Sequence, residues 1–302
     1  MLPFARVSII GLGLIGSSVA RAVRQHMPTV RLTGHDADAG VREIARRIDL
    51  VDDVADTAPA AVTDADLVIL CVPVGAMEAV ARDIADELPA DAVVSDVGSC
   101  KAAVARALGA ILPAAQVVPA HPVAGTEHSG PEAGFASLFH RRWCIVTPLP
   151  DSDETAVARV EAFWKRLGAD VERMAPDHHD LVLAVTSHLP HLIAYTIVGT
   201  ADDLQQVTQS EVIKFSAGGF RDFTRIAASD PTMWRDVFLA NKDAVLDMLQ
   251  RFSEDLSQLQ RAIRWDDGDA LFDRFAKTRA IRRSIVDQGQ DDAAADFGRR
   301  HD

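Results

Sequence analysis

A doubly wound parallel α/β sheet followed by an all-helical domain is the fold class this sequence predicts, and three observations carry it. Short β-branched apolar runs alternate with helical stretches as far as residue 174, the pattern of a parallel sheet with crossover helices. The first run, Val7 to Ile10, ends in Gly11-Leu-Gly-Leu-Ile-Gly16, three glycines at the spacing of a dinucleotide-binding turn. Beyond Pro176 the apolar period becomes helical and stays so.

Size and charge set the outer limits. At 302 residues the chain exceeds what one hydrophobic core usually serves, so two domains are expected. Lys and Arg number 31 against 44 Asp and Glu, a formal net charge of -13. That speaks against nucleic acid or an anionic membrane as a partner, since both call for a basic face. A small anionic substrate then needs a locally basic pocket. Cys71, Cys100 and Cys144 are odd in number and far apart, which suits reduced thiols better than disulfides or a zinc site. The start, MLPFARVSIIGLG, lacks the features of an export signal, and the longest apolar run, Leu67 to Val74, is too short for a membrane span. A cytoplasmic location is expected.

Within the glycine turn, Gly11 permits the tight bend, Gly13 lets the backbone approach a pyrophosphate, and Gly16 lets the helix pack on the strand. Leu14 and Ile15 open that helix, with amides aimed at phosphate. A second strand through Val30, Leu32 and Gly34 ends at His35 and Asp36, twenty residues past Gly16. There a carboxylate accepts hydrogen bonds from a ribose diol and repels a 2'-phosphate. This favours NAD, although Arg42, Arg46 and Arg47 leave NADP open. A helix over Val41 to Arg47 and a strand over Leu67 to Val72 follow, and Pro73 halts the strand with Val72 and Pro73 beside the cofactor.

A helix over Met77 to Leu88 leads to a strand, Ala92 to Asp96, and then to Val97-Gly-Ser-Cys-Lys101. Ser99 reads either as a ligand-facing hydroxyl or as the N-cap of a helix over Lys101 to Leu108, and Cys100 reads as filler. Gln116 to Ala120 reads as a strand that delivers His121-Pro-Val-Ala-Gly-Thr-Glu-His-Ser-Gly130. Pro122 biases His121 toward an extended backbone, Gly125 lets the chain turn, and Glu127 supplies a carboxylate beside two imidazoles. Ligands of parallel sheets gather at the carboxyl ends of strands, where Pro73, Ser99 and His121 all fall. Strands over Trp143 to Thr147 and Asp170 to Met174 flank a helix over Thr155 to Leu167. The domains are therefore expected at 1–174 and 175–287, with an acidic tail at 288–302 that reads as disordered.

In the helical half, Asp177 to Thr200 is helical in character. From Pro231, apolar positions between Trp234 and Ile263 recur at helical spacing over more than thirty residues. One very long helix is predicted, buried in part by a second subunit. Asp266 to Asp269 reads as a turn and Ala270 to Val286 as a helix. His188 and His191 are a poor metal pair, since no further ligand pattern accompanies them. Pro190 is expected to place Ser187 near a helix start. Trp234 reads as packing, and His128, His178 and His179 as solvent or boundary residues.

Five stretches, GLGLIGSS at 11–18, DVGSCK at 96–101, HPVAGTEHSG at 121–130, SHLPH at 187–191 and GGFRDFTRIAASDPTMW at 218–234, together resemble the prephenate and arogenate dehydrogenases of tyrosine biosynthesis. The match runs in order over nearly the whole chain, and its last three motifs are the specific ones. The resemblance implies a Rossmann domain, a helical dimerisation domain and a site in the cleft between them. It implies NAD-dependent oxidative decarboxylation of prephenate, with arogenate as the open alternative, and a homodimer formed through the helical domain. By motif position, a neutral His121 would partner the C4 hydroxyl of the substrate, and Ser99 would hold that hydroxyl and the nicotinamide in register. Arg225 would pair with a substrate carboxylate and His191 would contact the side-chain end. Glu127 would lie near the entrance and Asp222 would orient the arginine. Two other readings compete. A β-hydroxyacid-type dehydrogenase would rely on a lysine such as Lys214, and an NAD-sensing module would need neither His121 nor Arg225.

Overall fold

The computed structural model describes residues 2–126, 128–203 and 218–287; Glu127, Lys214 and the acidic tail lie outside them. Two compact units are distinguished, the first ending at Leu246 and the second beginning at Asp247.

The first unit opens with β1 (Arg6–Ile10), α1 (Leu14–His26), β2 (Arg31–His35), α2 (Ala39–Arg47), β3 (Asp53–Val54), α3 (Ala58–Val62), β4 (Leu67–Leu70), α4 (Met77–Ile84), β5 (Val93–Asp96) and α5 (Ala102–Ile111). The five strands are all parallel, in the order β3-β2-β1-β4-β5. Connections leave β1 in opposite directions across the sheet, so a crevice opens at the carboxyl ends of β1 and β4. The glycine turn sits there. β4 is buried at every position, as a strand covered on both faces must be. Ile9, Val19, Val23 and Trp164 fill one face, and Val68, Leu70, Ala81 and Leu108 the other.

A second, three-stranded sheet follows, built from β6 (Ala120–Pro122), β7 (Trp143–Val146) and β8 (Asp170–Arg173), with α6 (Glu154–Arg166) between the last two. Here the structure departs from the expected strand at Gln116 to Ala120. The pairing to the first sheet is one parallel bridge, Val94 to Val117, and the strand proper is Ala120–Pro122, antiparallel to β7. Pro119 and Pro122 have no N–H to donate to a ladder, so the chain leaves the parallel sheet and turns to β7. His121 is thereby delivered at the seam between the sheets.

The helical run continues as α7 (Pro176–Leu183), a π turn at Ala184–His188, α8 (Leu189–Asp203), α9 (Gly218–Thr224), a 3-10 turn at Arg225–Ala228, α10 (Pro231–Ala240), α11 (Lys242–Arg264) and α12 (Gly268–Asp287). Ser187 does not mark a helix start. It lies in the wide turn of a helix continuous from α7 into α8, where Pro190 withholds one amide and would crowd a regular preceding turn. By length and composition alone, Pro176–Asp202 is apolar enough to cross a membrane. Polar residues punctuate the stretch, so it holds no long uninterrupted apolar run. Three of those, His179, Asp180 and His188, are buried.

The expected single long helix is two. It breaks at Asn241, whose side-chain Nδ2 donates to the carbonyl of Asp180 (2.8 Å) and pairs with His188 Nδ1 (3.0 Å). A side chain drawn into buried partners competes with regular helix, while the apolar period survives the one-residue interruption and hides it. In the second unit, Asp266 takes a φ of 53° at the turn and Asp255 pairs with Arg274 at 2.7 Å. Leu256, Ile263, Trp265, Phe272, Phe275 and Ile281 are all exposed there.

Candidate active site

β1 runs into Gly11 at φ +100°, where a Cβ would meet the Cys71 carbonyl oxygen at 2.6 Å. A Cβ on Gly16 would stand 1.9 Å from the Gly11 oxygen, whereas one on Gly13 would meet nothing within 4 Å. The turn is thus closed behind Gly11 and Gly16 and open above Gly13. α1 has no side-chain cap, so its first-turn amides, those of Leu14 and Ile15 among them, remain available as donors. Open space over uncapped amides fits the pyrophosphate of a dinucleotide.

Asp36 follows β2 and accepts from the amides of Leu12 (2.8 Å) and Asp38 (2.9 Å), one to each oxygen. Each oxygen keeps a lone pair for a diol. Each of the arginines that left NADP open has a partner within the protein. Arg42 donates to the Asp36 carbonyl at 2.7 Å, Arg46 pairs with Asp56 at 2.7 Å, and Arg47 pairs with Glu132 at 3.0 Å. Val72, half-buried, and Pro73, exposed, follow β4 at the same edge.

His121 is 7% exposed. Its Nδ1 stands 2.9 Å from Nε2 of His179, and Nδ1 of His179 stands 2.8 Å from Oδ1 of Asp180. The same carboxylate accepts from the amides of Lys101 (2.6 Å) and Ala102 (2.9 Å). The cap of α5 therefore comes from α7, and the expected capping role of Ser99 is not found. Ser99 stays half-buried just before the helix, and its backbone lies close to the His188 ring. Beneath this cluster Lys101 Nζ, wholly buried, pairs with Asp96 and donates to the Ala120 carbonyl at 2.8 Å. Asp96 in turn accepts from the Gly98 amide at 2.7 Å. The Cys100 thiol is pushed up to about 12 by burial, which makes it inert.

On the helical side, His191 Nδ1 lies 2.9 Å from the Ser187 carbonyl oxygen. Its ring stacks on Trp234 at 3.6 Å between centroids, and the His188 ring meets the same indole edge-on at 6.0 Å. Trp234 is buried, and its Nε1 has no hydrogen-bond partner among the described residues. Arg225, exposed at the head of the 3-10 turn, adds its charge to the field at His191. Asp222 lies inside α9, half-buried, 3.7 Å from Arg221 Nε. Glu127 cannot be placed, since it lies outside the described residues. Among those residues no three His, Cys, Asp or Glu gather as metal ligands would.

Burial first, then the neighbouring His179, Lys101 and His188, holds His121 well below the ordinary histidine range. His179 and His191 are lowered chiefly by burial as well, and burial brings His188 down to about 4. Four imidazoles are thus kept neutral at pH 7. Each lowered histidine binds its proton more readily unfolded than folded, so stability is full above about pH 6.5 and falls as pH drops through the folded pKa. For His188, whose folded value is about 4, the loss amounts to roughly 3 kcal/mol across that window. Denaturant midpoints measured at about pH 7 and about pH 4.5 check this, and a flat profile contradicts it.

Sequence reasoning missed four residues of this cluster. His179, expected as a solvent or boundary residue, is fully buried; Asp180, Lys101 and Asn241 carried no local mark of a buried role. Only the His-Asp pair beside the Pro176 helix start hinted at an oriented imidazole.

The comparisons with known proteins agree with this architecture. Family profiles described as prephenate dehydrogenase, nucleotide-binding domain and prephenate dehydrogenase, dimerization domain match residues 19–173 and 175–277. The cyclohexadienyl dehydrogenase of Zymomonas mobilis is 43% identical over 285 residues, covering 94% of this chain and 97% of the relative. The prephenate dehydrogenase of Bacillus subtilis is 34% identical over 92% of this chain and 76% of its own length. Among solved structures, Aquifex aeolicus prephenate dehydrogenase in complex with hydroxyphenyl propionate and NAD+ superposes with a TM-score of 0.87 at 32% identity, covering 94% of this chain and 98% of the other. Synechocystis arogenate dehydrogenase follows with a TM-score of 0.78 at 25% identity, covering 93% and 99%. With both profiles matched and relatives aligned over nearly its full length, the chain belongs to the prephenate dehydrogenase family.

Proposed function

We infer that this chain catalyses the NAD-dependent oxidative decarboxylation of prephenate to 4-hydroxyphenylpyruvate in tyrosine biosynthesis. One observation carries the reading within the family: a buried, neutral His121 belongs to the same packed cluster as Trp234 and His191, with the charge of Arg225 beside them. NAD held at the glycine turn would supply the hydride acceptor for C4, with the ring carboxylate leaving as CO2 and the ring becoming aromatic. His121 takes the proton of the C4 hydroxyl as that oxygen gains carbonyl character, and returns it as loss of CO2 makes the ring aromatic, so that the product carries a phenol hydroxyl. Ser99 steadies that hydroxyl. Arg225 grips a substrate carboxylate, which a planar guanidinium holds with two parallel bonds, and His191 faces the side-chain end. Gly11, Gly13 and Gly16, with the Leu14 and Ile15 amides, hold the pyrophosphate. Asp36 takes the ribose, and Val72 and Pro73 flank the cofactor.

We take the domain boundary to lie at residue 174, a reading supported by profiles that match residues 19–173 and 175–277. A homodimer through the helical domain agrees with the dimerization-domain profile and with the exposed Phe272, Phe275 and Ile281. Catalysis is assigned to the cytoplasm. Arogenate is the second substrate to consider, because the relative at 43% identity bears the broader name cyclohexadienyl dehydrogenase. Purified protein supplied with NAD or NADP and either prephenate or arogenate is expected to give reduced-nicotinamide absorbance fastest with NAD and prephenate. No signal with either substrate discards the assignment.

A further inference from the structure

The geometry points to His179 as the positioning residue that makes His121 a proton acceptor: Nε2 of His179 takes the hydrogen of His121 Nδ1, leaving a bare lone pair on His121 Nε2 for the substrate hydroxyl. This rests on the reaction proposed above, but the tautomer chain is a property of the protein alone.

The carboxylate of Asp180 can only accept. It already accepts from two backbone amides, at 2.6 and 2.9 Å. The His179 nitrogen facing it at 2.8 Å must therefore carry a hydrogen. A neutral imidazole has one such hydrogen, so the opposite nitrogen of His179 is bare. It stands 2.9 Å from His121 Nδ1, a distance at which one of the two nitrogens has to donate. His121 Nδ1 is then the donor, and His121 Nε2 is left as a base. Were His179 doubly protonated, it would donate to His121 and move the hydrogen of His121 to Nε2, which would abolish base function.

The surroundings favour the first arrangement. His179 is fully buried. The charged and titratable groups facing it and His121 are Asp180, the Lys101–Asp96 pair and His188. Lys101 and Asp96 largely offset each other, and burial keeps His188 neutral, so no unpaired anion beyond Asp180 calls for a cation at His179. Once His121 takes a proton, its Nδ1–H continues to point through His179 toward that carboxylate, which stabilises the imidazolium.

Nitrogen-15 NMR of the histidine-labelled protein without substrate, with the His121 signals assigned by their loss in His121→Asn, reads the tautomer directly. A protonated Nδ1 and bare Nε2 on His121 are expected; hydrogen on Nε2 overturns the proposal whether or not the enzyme accepts prephenate. Kinetically, His179→Leu is expected to lower kcat roughly a hundredfold, with KM and NAD affinity nearly unchanged. His179→Gln, whose side-chain carbonyl accepts from Nδ1–H, is expected to recover at least about tenfold of that loss. Unchanged kcat in His179→Leu, or equal loss in both variants, sinks it. If His179→Leu does not fold, the NMR result on the native protein decides.

Discussion

Replacing His121 with asparagine is expected to lower turnover by roughly a hundredfold or more, the usual consequence of losing a general base, while NAD binds as before. Asparagine keeps an N–H that can reach the bare nitrogen of His179, so the buried cluster retains a hydrogen bond near the one now 2.9 Å long. It offers no basic nitrogen to the substrate hydroxyl. Among the described residues His121 makes no hydrogen bond to the glycine turn, whose geometry rests on Gly11 and Gly16 and their closeness to Cys71 and Ile9. Steady-state kcat together with fluorescence titration of NAD separates the two effects. A loss of turnover below about tenfold, or a parallel loss of NAD affinity, would place the chemistry elsewhere.

Lys101→Met is expected to produce the largest change in stability, about 3–5 kcal/mol, because it strands a carboxylate in the interior. Lys101 and Asp96 are both wholly buried and paired, and Lys101 also holds the Ala120 carbonyl at 2.8 Å. With the ammonium gone, Asp96 keeps the Gly98 amide at 2.7 Å but no counter-charge. Adding Asp96→Asn removes that charge and should recover a large part of the loss. Denaturant midpoints at unchanged slope measure both variants. A cost under about 1 kcal/mol for the single change would show that water reaches the pair. Lys101 supports the residue before His121, so whatever Lys101→Met protein folds is also expected to turn over more slowly.

By itself, the sequence determined what depends on near neighbours along the chain. The glycine spacing specified a turn, because each glycine answers a local backbone demand: φ is +100° at Gly11, and a Cβ on Gly16 would stand 1.9 Å from the Gly11 oxygen. The alternation of apolar runs specified four of the five parallel strands, β1, β2, β4 and β5, for the same reason, since side-chain period is a property of local geometry; the two-residue β3 is too short to show a period. His121, Ser99, His191 and Arg225 were named as candidates from motifs a few residues long.

The tertiary structure alone decided what crosses the chain. A carboxylate 78 residues away from Ala102 caps α5; His179, which local sequence left as a solvent or boundary residue, is buried behind His121. Asn241 ends a helix that the apolar period alone would have continued. β6 turns antiparallel once its prolines leave the ladder. In each case a polar group buried by folding has to find its hydrogen-bond partner among residues brought near only by the fold, and no pattern within one segment records which residue that will be.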